Sequence, residues 1–141
     1  MNTLSFSDKE LAAGLLTELL VRNLDVSVKY YTNFGFKLVR QSEKSALLGW
    51  DKSLLLLNEG DDFPAGPSPG ATLRVVVPNV DDYYQYACRE RLPIVNRIGN
   101  RPYGLRDFTV RDPDGFGLRF ATPVAPPKLQ QYWLEKVQNN L

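Results

Sequence analysis

The chain has 141 residues, 43% of them hydrophobic and 23% charged, a length and composition that fit one globular domain rather than two independent ones. A net charge of +1 with no basic run leaves no electrostatic footprint for nucleic acid. No apolar stretch approaches the roughly 20 residues of a membrane-spanning helix. Histidine is absent, which removes Ser–His and Cys–His nucleophile pairs, imidazole metal sites and the commonest general base.

The N-terminal residues lack the basic, apolar, small-residue pattern of a signal peptide, so a cytoplasmic protein is expected. Ser7-Asp8-Lys9-Glu10 has the spacing of a capping box and predicts a short helix through Ala13, ended by Gly14. A strand follows over 15–22. Asn23 then suits a helix N-cap, because its side chain can satisfy an orphan backbone donor. Leu24, Val28 and Tyr31 make one helical stripe, and Gly35 stops the helix. Residues 36–40, 46–50 and 53–57 read as three more strands on short turns.

Residues 59–70, EGDDFPAGPSPG, are too rich in Pro and Gly for a helix or central strand and read as a linker. The pattern then starts again. Residues 72–77 form a strand, Asn79 a cap, and Val80, Tyr84 and Ala87 a stripe that repeats Leu24, Val28 and Tyr31 after 56 residues. Asn23 and Asp25 map onto Asn79 and Asp81 under the same shift, and 36–39 onto 92–95. The chain is a tandem repeat of a strand–helix–three-strand unit, and neither half buries its sheet easily alone.

The second repeat ends in NRPYGLRDFTVRDPDGFGLRF, residues 100–120. Phe108, Val110, Leu118 and Phe120 alternate as half-buried strands require, around the turn Asp112-Pro113-Asp114-Gly115. The turn alone would suit any antiparallel hairpin. Its setting is more specific: Tyr103-Gly104-Leu105-Arg106-Asp107-Phe108 leads into it. That order resembles the last hairpin of the vicinal oxygen chelate superfamily, which includes glyoxalase I, extradiol dioxygenases and the fosfomycin and bleomycin resistance proteins. The bleomycin resistance branch is the nearest in appearance. The resemblance implies an α+β fold, with tandem βαβββ modules (15–58 and 71–123, joined by the linker 59–70) forming a curved mixed sheet around a cleft. A C-terminal helical tail, 124–141, would dock on its own domain or on a partner subunit, with Leu129, Tyr132, Trp133 and Val137 as its apolar stripe.

Strand alternation selects the side chains that face the cleft. Thr17, Leu19 and Val21 oppose Leu16, Glu18 and Leu20, and Leu73, Val75 and Val77 oppose Thr72, Arg74 and Val76. The uncharged sets, apolar but for Thr17, belong under the helices, so Glu18 and Arg74 point the other way; Arg119, between Leu118 and Phe120, joins them. These charges require partners. Either they form an internal salt bridge that fixes sheet curvature, or they are the polar handle of a binding cleft walled by aromatics such as Tyr103 and Trp50, with Phe63 closing from the linker. Leu20 and Thr72 complete the candidate set. Cys88 reads as a small packing residue, and Asp112 and Asp114 as turn formers rather than acid–base groups.

In metal-using members of the superfamily, His and Glu ligands sit on particular strands. The resemblance places those positions at Leu16, Thr72 and Arg119, with a fourth in 54–57, assigned to Leu55. Hydrocarbon, hydroxyl and guanidinium make a poor donor set for a divalent cation. No cofactor is therefore expected, and the metal-dependent chemistries are not carried over. The expectation is a metal-free, homodimeric protein that binds a partly aromatic, charged small molecule, an antibiotic or metabolite. The alternatives are a metal-independent enzyme with Glu18 as its acid–base group, and an interaction module whose cavity has closed.

Overall fold

The computed structural model describes residues 15–60, 71–124 and 135–136. The expected leading helix, Phe63 with the rest of 61–70, and all of the C-terminal tail after Val124 except Glu135 and Lys136 lie outside them.

The chain order is β1 (Thr17–Val21), α1 (Leu24–Phe34), β2 (Lys37–Gln41), β3 (Ser45–Trp50) and β4 (Ser53–Glu59), then β5 (Thr72–Val76), α2 (Val80–Arg89), β6 (Ile94–Asn100), β7 (Leu105–Arg111) and β8 (Gly117–Pro123). The strands pair into two four-stranded sheets, β1-β4-β3-β2 and β5-β8-β7-β6, rather than running on as a single sheet. Each is mixed: β1 with β4 and β5 with β8 are parallel, and the remaining pairs are antiparallel. This α+β arrangement is the expected doubled βαβββ unit. Glu59, expected to open the linker, closes β4 instead.

The helices start and stop for local reasons that the repeat makes visible. The Asn23 side chain accepts from the Val26 N–H at 3.1 Å, and that of Asn79 from the Asp81 N–H at 3.2 Å. A second acceptor reaches each helix start from the last strand of its own module. Glu59 Oε2 takes the Leu24 N–H at 2.9 Å, and Thr122 Oγ1 takes the Val80 N–H at 2.8 Å. At the other end Gly35 adopts φ 118°, and Phe36 N–H returns to the Tyr31 carbonyl. The corresponding residue after α2 is Arg91, held at φ 54° with Leu92 N–H on the Ala87 carbonyl.

Two compact units divide the described residues, one of 15–60 with the turn 112–115, the other of 71–111, 116–124 and 135–136. In the first, Leu19, Val21, Leu24, Tyr31, Phe34, Leu48, Leu55 and Leu57 are buried. The buried stripe of α1 runs Leu24, Ser27, Tyr31, Phe34, with Ser27 in the place that the sequence suggests for Val28, which is half-buried. The Tyr31 hydroxyl donates to Asp112 Oδ2 at 2.7 Å, while Asp112 Oδ1 accepts the Asp114 N–H within the turn. Asp114 Oδ1 accepts the Arg22 N–H at 3.1 Å and its guanidinium at 3.3 Å. The Asp112 carboxylate thus shapes the turn, as expected, and holds it to α1, while that of Asp114 holds it to the residue after β1. Burial, and then the Asp112 charge, push the Tyr31 hydroxyl well above its usual pKa.

In the second unit, Val75, Val77, Val80, Ala87, Phe108, Val110, Leu118 and Phe120 form the core. Tyr84 meets Phe108 edge-on and Tyr83 stacks on Phe120, which seats α2 on one face of the sheet. Arg106 fastens the same helix by a two-pronged contact with Asp81, at 3.0 and 2.9 Å. Among the described residues no helix is long and apolar enough to cross a membrane.

Candidate functional site

The register of the second sheet fixes which side chains share the face turned away from α2. Thr72 pairs with Gly117, Arg74 with Arg119 and Val76 with Ala121; Thr109 pairs with Arg119 and Asp107 with Ala121. Arg74, Arg119, Thr109 and Asp107 therefore stand together on one face, with Val76 beside them. Leu118 and Phe120, fully buried on the other face, set the phase that brings Arg119 here.

Asp107 is the hub of this face. Its side chain is 2% exposed, and three partners reach it: Arg101 Nε at 2.7 Å, the Tyr103 hydroxyl at 2.6 Å and Arg74 Nη2 at 3.8 Å. Arg101 also donates to the carbonyls of Arg97 and Asp107. Burial by itself would raise the Asp107 pKa. The hydrogen bonds from Tyr103 and Arg101, with the charges of Arg101 and Arg119, outweigh it and hold the carboxyl below its ordinary range. The same hydrogen bond to Asp107, and then burial, raise the Tyr103 hydroxyl. The Arg74 guanidinium lies 5.6 Å from the Tyr103 ring centroid, within cation–π range. Arg119 Nε donates to the neutral Thr109 hydroxyl at 2.8 Å.

The aromatic-Gly-x-Arg-Asp-Phe run now has a physical reading. Gly104 takes φ 87° and donates its N–H to the Arg101 carbonyl, turning the chain so that Tyr103 folds back over Asp107. Arg106 faces α2, Asp107 faces away from it, and Phe108 is core. Asp107, Arg101 and Thr109 are residues of this face that the sequence did not single out; Val76, which alternation sets beside Arg74, was not among the candidate site residues. The signal was there for Asp107, because Phe108 and Val110 point at α2 and so send Asp107 to the side of Arg119.

The first sheet carries Glu18 and Leu20 on the face turned away from α1, both exposed, with Leu56, Asn58, Leu47 and Ser45 in register. The Asn58 amide donates to Glu18 and accepts from the Ser45 hydroxyl, a polar relay across three strands. Trp50 lies on the other face. It meets Phe36 edge-on with ring centroids 5.0 Å apart and covers Gly35, where an added Cβ would stand 3.1 Å from its ring. Thus Thr72, Arg74, Tyr103 and Arg119 share one unit, Glu18 and Leu20 share a strand face of the other, and Trp50 packs beside α1.

The superfamily's metal positions can be tested on donor chemistry. Register makes Leu56, not Leu55, the first-sheet counterpart of Arg119: Leu56 pairs with Glu18 as Arg119 pairs with Arg74. Leu55 is core, facing α1. Either way the position is hydrocarbon, like Leu16, and Thr72 and Arg119 offer a hydroxyl and a guanidinium, poor donors for a divalent cation. Among the described residues no three His, Cys, Asp or Glu side chains cluster so as to hold one.

Residues 15–120 match the Glyoxalase/Bleomycin resistance protein/Dioxygenase superfamily, and the chain belongs to it. No curated protein matches. Among solved structures, a glyoxalase/bleomycin resistance protein/dioxygenase from Alicyclobacillus acidocaldarius is similar, at 20% identity and a TM-score of 0.67 over 79% of this chain and 91% of that one. TioX from Micromonospora sp. ML1 is similar at 22% identity and a TM-score of 0.61, over 79% and 98%. A lactoylglutathione lyase from Agrobacterium tumefaciens is similar at 19% identity and a TM-score of 0.59, over 79% and 93%. At these identities the likeness is one of fold.

Proposed function

We propose that the chain is a metal-independent binding protein for a partly aromatic, charged small molecule, an antibiotic or metabolite, in the manner of the bleomycin resistance branch. The observation that carries this reading is the face of the second sheet away from α2. It presents Arg74, Tyr103 and Arg119 around Asp107, an ordered polar cluster with an aromatic ring at its edge, and Thr72 further along β5 on the same face. Binding sites commonly combine apolar or aromatic walls with a few fixed polar groups in this way. The donor set at the superfamily's metal positions supports binding rather than Lewis-acid chemistry. Glu18 and Leu20, exposed on the equivalent strand of the first module, belong to the same proposal, as do a homodimer and a cytoplasmic location.

The test is a thermal-shift and calorimetric screen of the full chain against aromatic antibiotics and aromatic acids, run with and without a chelator, with metal content measured alongside. Saturable binding unaffected by the chelator is expected. A stoichiometric divalent metal whose removal abolishes binding, or turnover that the chelator stops, would contradict the proposal.

A further inference from the structure

The charges on the face away from α2 do not balance. Arg74 and Arg119 are direct partners across the parallel β5–β8 pair, and like charges placed opposite each other on one face are destabilising. Among the described residues one carboxylate, Asp107, is a partner of the group, and it is already committed to Arg101 at 2.7 Å and to Tyr103 at 2.6 Å. Arg74 shares it at a looser 3.8 Å, with 38% of its own side chain exposed. Arg119 contributes its charge to Asp107 only at a distance and spends Nε on the neutral Thr109 hydroxyl. That bond fixes the plane of its guanidinium and leaves the two terminal nitrogens as a fork.

Resting on the binding function proposed above, we infer that Arg74 and Arg119 form an oxyanion site for the carboxylate of an aromatic acid, whose ring lies against Val76 and Tyr103. Two guanidinium groups in register match the oxygens of a carboxylate, and Arg–carboxylate forks are short and directional. The apolar half of the ligand also has its seat. Val76 is 57% exposed on the same face, two residues along β5 from Arg74. The Tyr103 ring, also exposed, is held by its hydroxyl on Asp107, with the Arg74 guanidinium 5.6 Å from its centroid. The bound carboxylate supplies the negative charge that the arginine pair lacks, and the ring covers the exposed valine.

The test uses three probes of one shape and different charge on the unmodified full chain: 2-naphthoate, 2-naphthamide and 2-naphthylmethylammonium. Calorimetry is expected to give 2-naphthoate an affinity at least about tenfold above the other two, since desolvated charge-assisted pairs contribute more than neutral ones. Arg74→Met and Arg119→Met, each shown by circular dichroism to be folded, are expected to erase that preference. If the amide or the ammonium binds as tightly as the acid, the oxyanion site is wrong, while a binding function survives. Preference for the acid retained in both folded variants would also overturn the site. Absence of binding by all three probes would sink the site; the binding proposal itself falls only if the wider screen is also empty.

Discussion

Two buried carboxylates, Asp112 and Asp107, face different partners. Asp112 receives the Tyr31 hydroxyl at 2.7 Å inside the first unit. Tyr31→Phe would remove that donor from a buried acceptor, and a loss of about 1.5–3 kcal/mol in urea unfolding is expected for a hydrogen bond to a charged group. Asp107 is the second. Its folded pKa is lowered, so its stabilising contribution is fully present above the unfolded value of about 3.9 and is lost as pH falls through the lower folded value. Acid unfolding followed by fluorescence should therefore show a limb below about pH 4 that Asp107→Asn flattens. An unchanged acid limb in that variant would mean that the carboxylate is not held ionised by Arg101 and Tyr103.

At the scale of elements, the repeat permits controlled comparisons that a single module would not. Gly35 and Arg91 occupy the same place after their helices, each at positive φ, but only the glycine does so without a steric cost. Arg91→Gly is expected to raise stability by about 1 kcal/mol. Gly35→Ala is expected to lower it, since the new Cβ would meet the Trp50 ring at 3.1 Å as well as adopt a left-handed backbone. Thr122 caps α2 while donating to the Val77 carbonyl, so Thr122→Val strands both groups and should cost about 1–2 kcal/mol in thermal or urea unfolding. A negligible change in Thr122→Val would show that Asn79 alone suffices as the cap.

At the scale of the whole molecule, the duplication was legible because helix caps and stripes recur at a fixed offset, and each repeat folds into its own mixed sheet. Arg74 and Arg119 were legible because apolar neighbours on alternate positions phase their strands. Two places resisted. The run Ser53-Leu54-Leu55-Leu56-Leu57 has no alternation to phase it, so the counterpart of Arg119 falls on Leu56 only once pairing is known. Arg101 reaches Asp107 through a loop reversal at Gly104, which strand periodicity does not encode. The duplicated modules thus diverge in chemistry: a Glu18–Asn58–Ser45 relay in the first, a guanidinium cluster around Asp107 in the second. The most direct measurement is a crystal of the full chain soaked with 4-iodobenzoate, whose iodine is located by anomalous scattering. The carboxylate is expected on the terminal nitrogens of Arg74 and Arg119, with the ring against Val76 and Tyr103. An occupied iodine site anywhere else, with the arginine pair bare, would contradict the account.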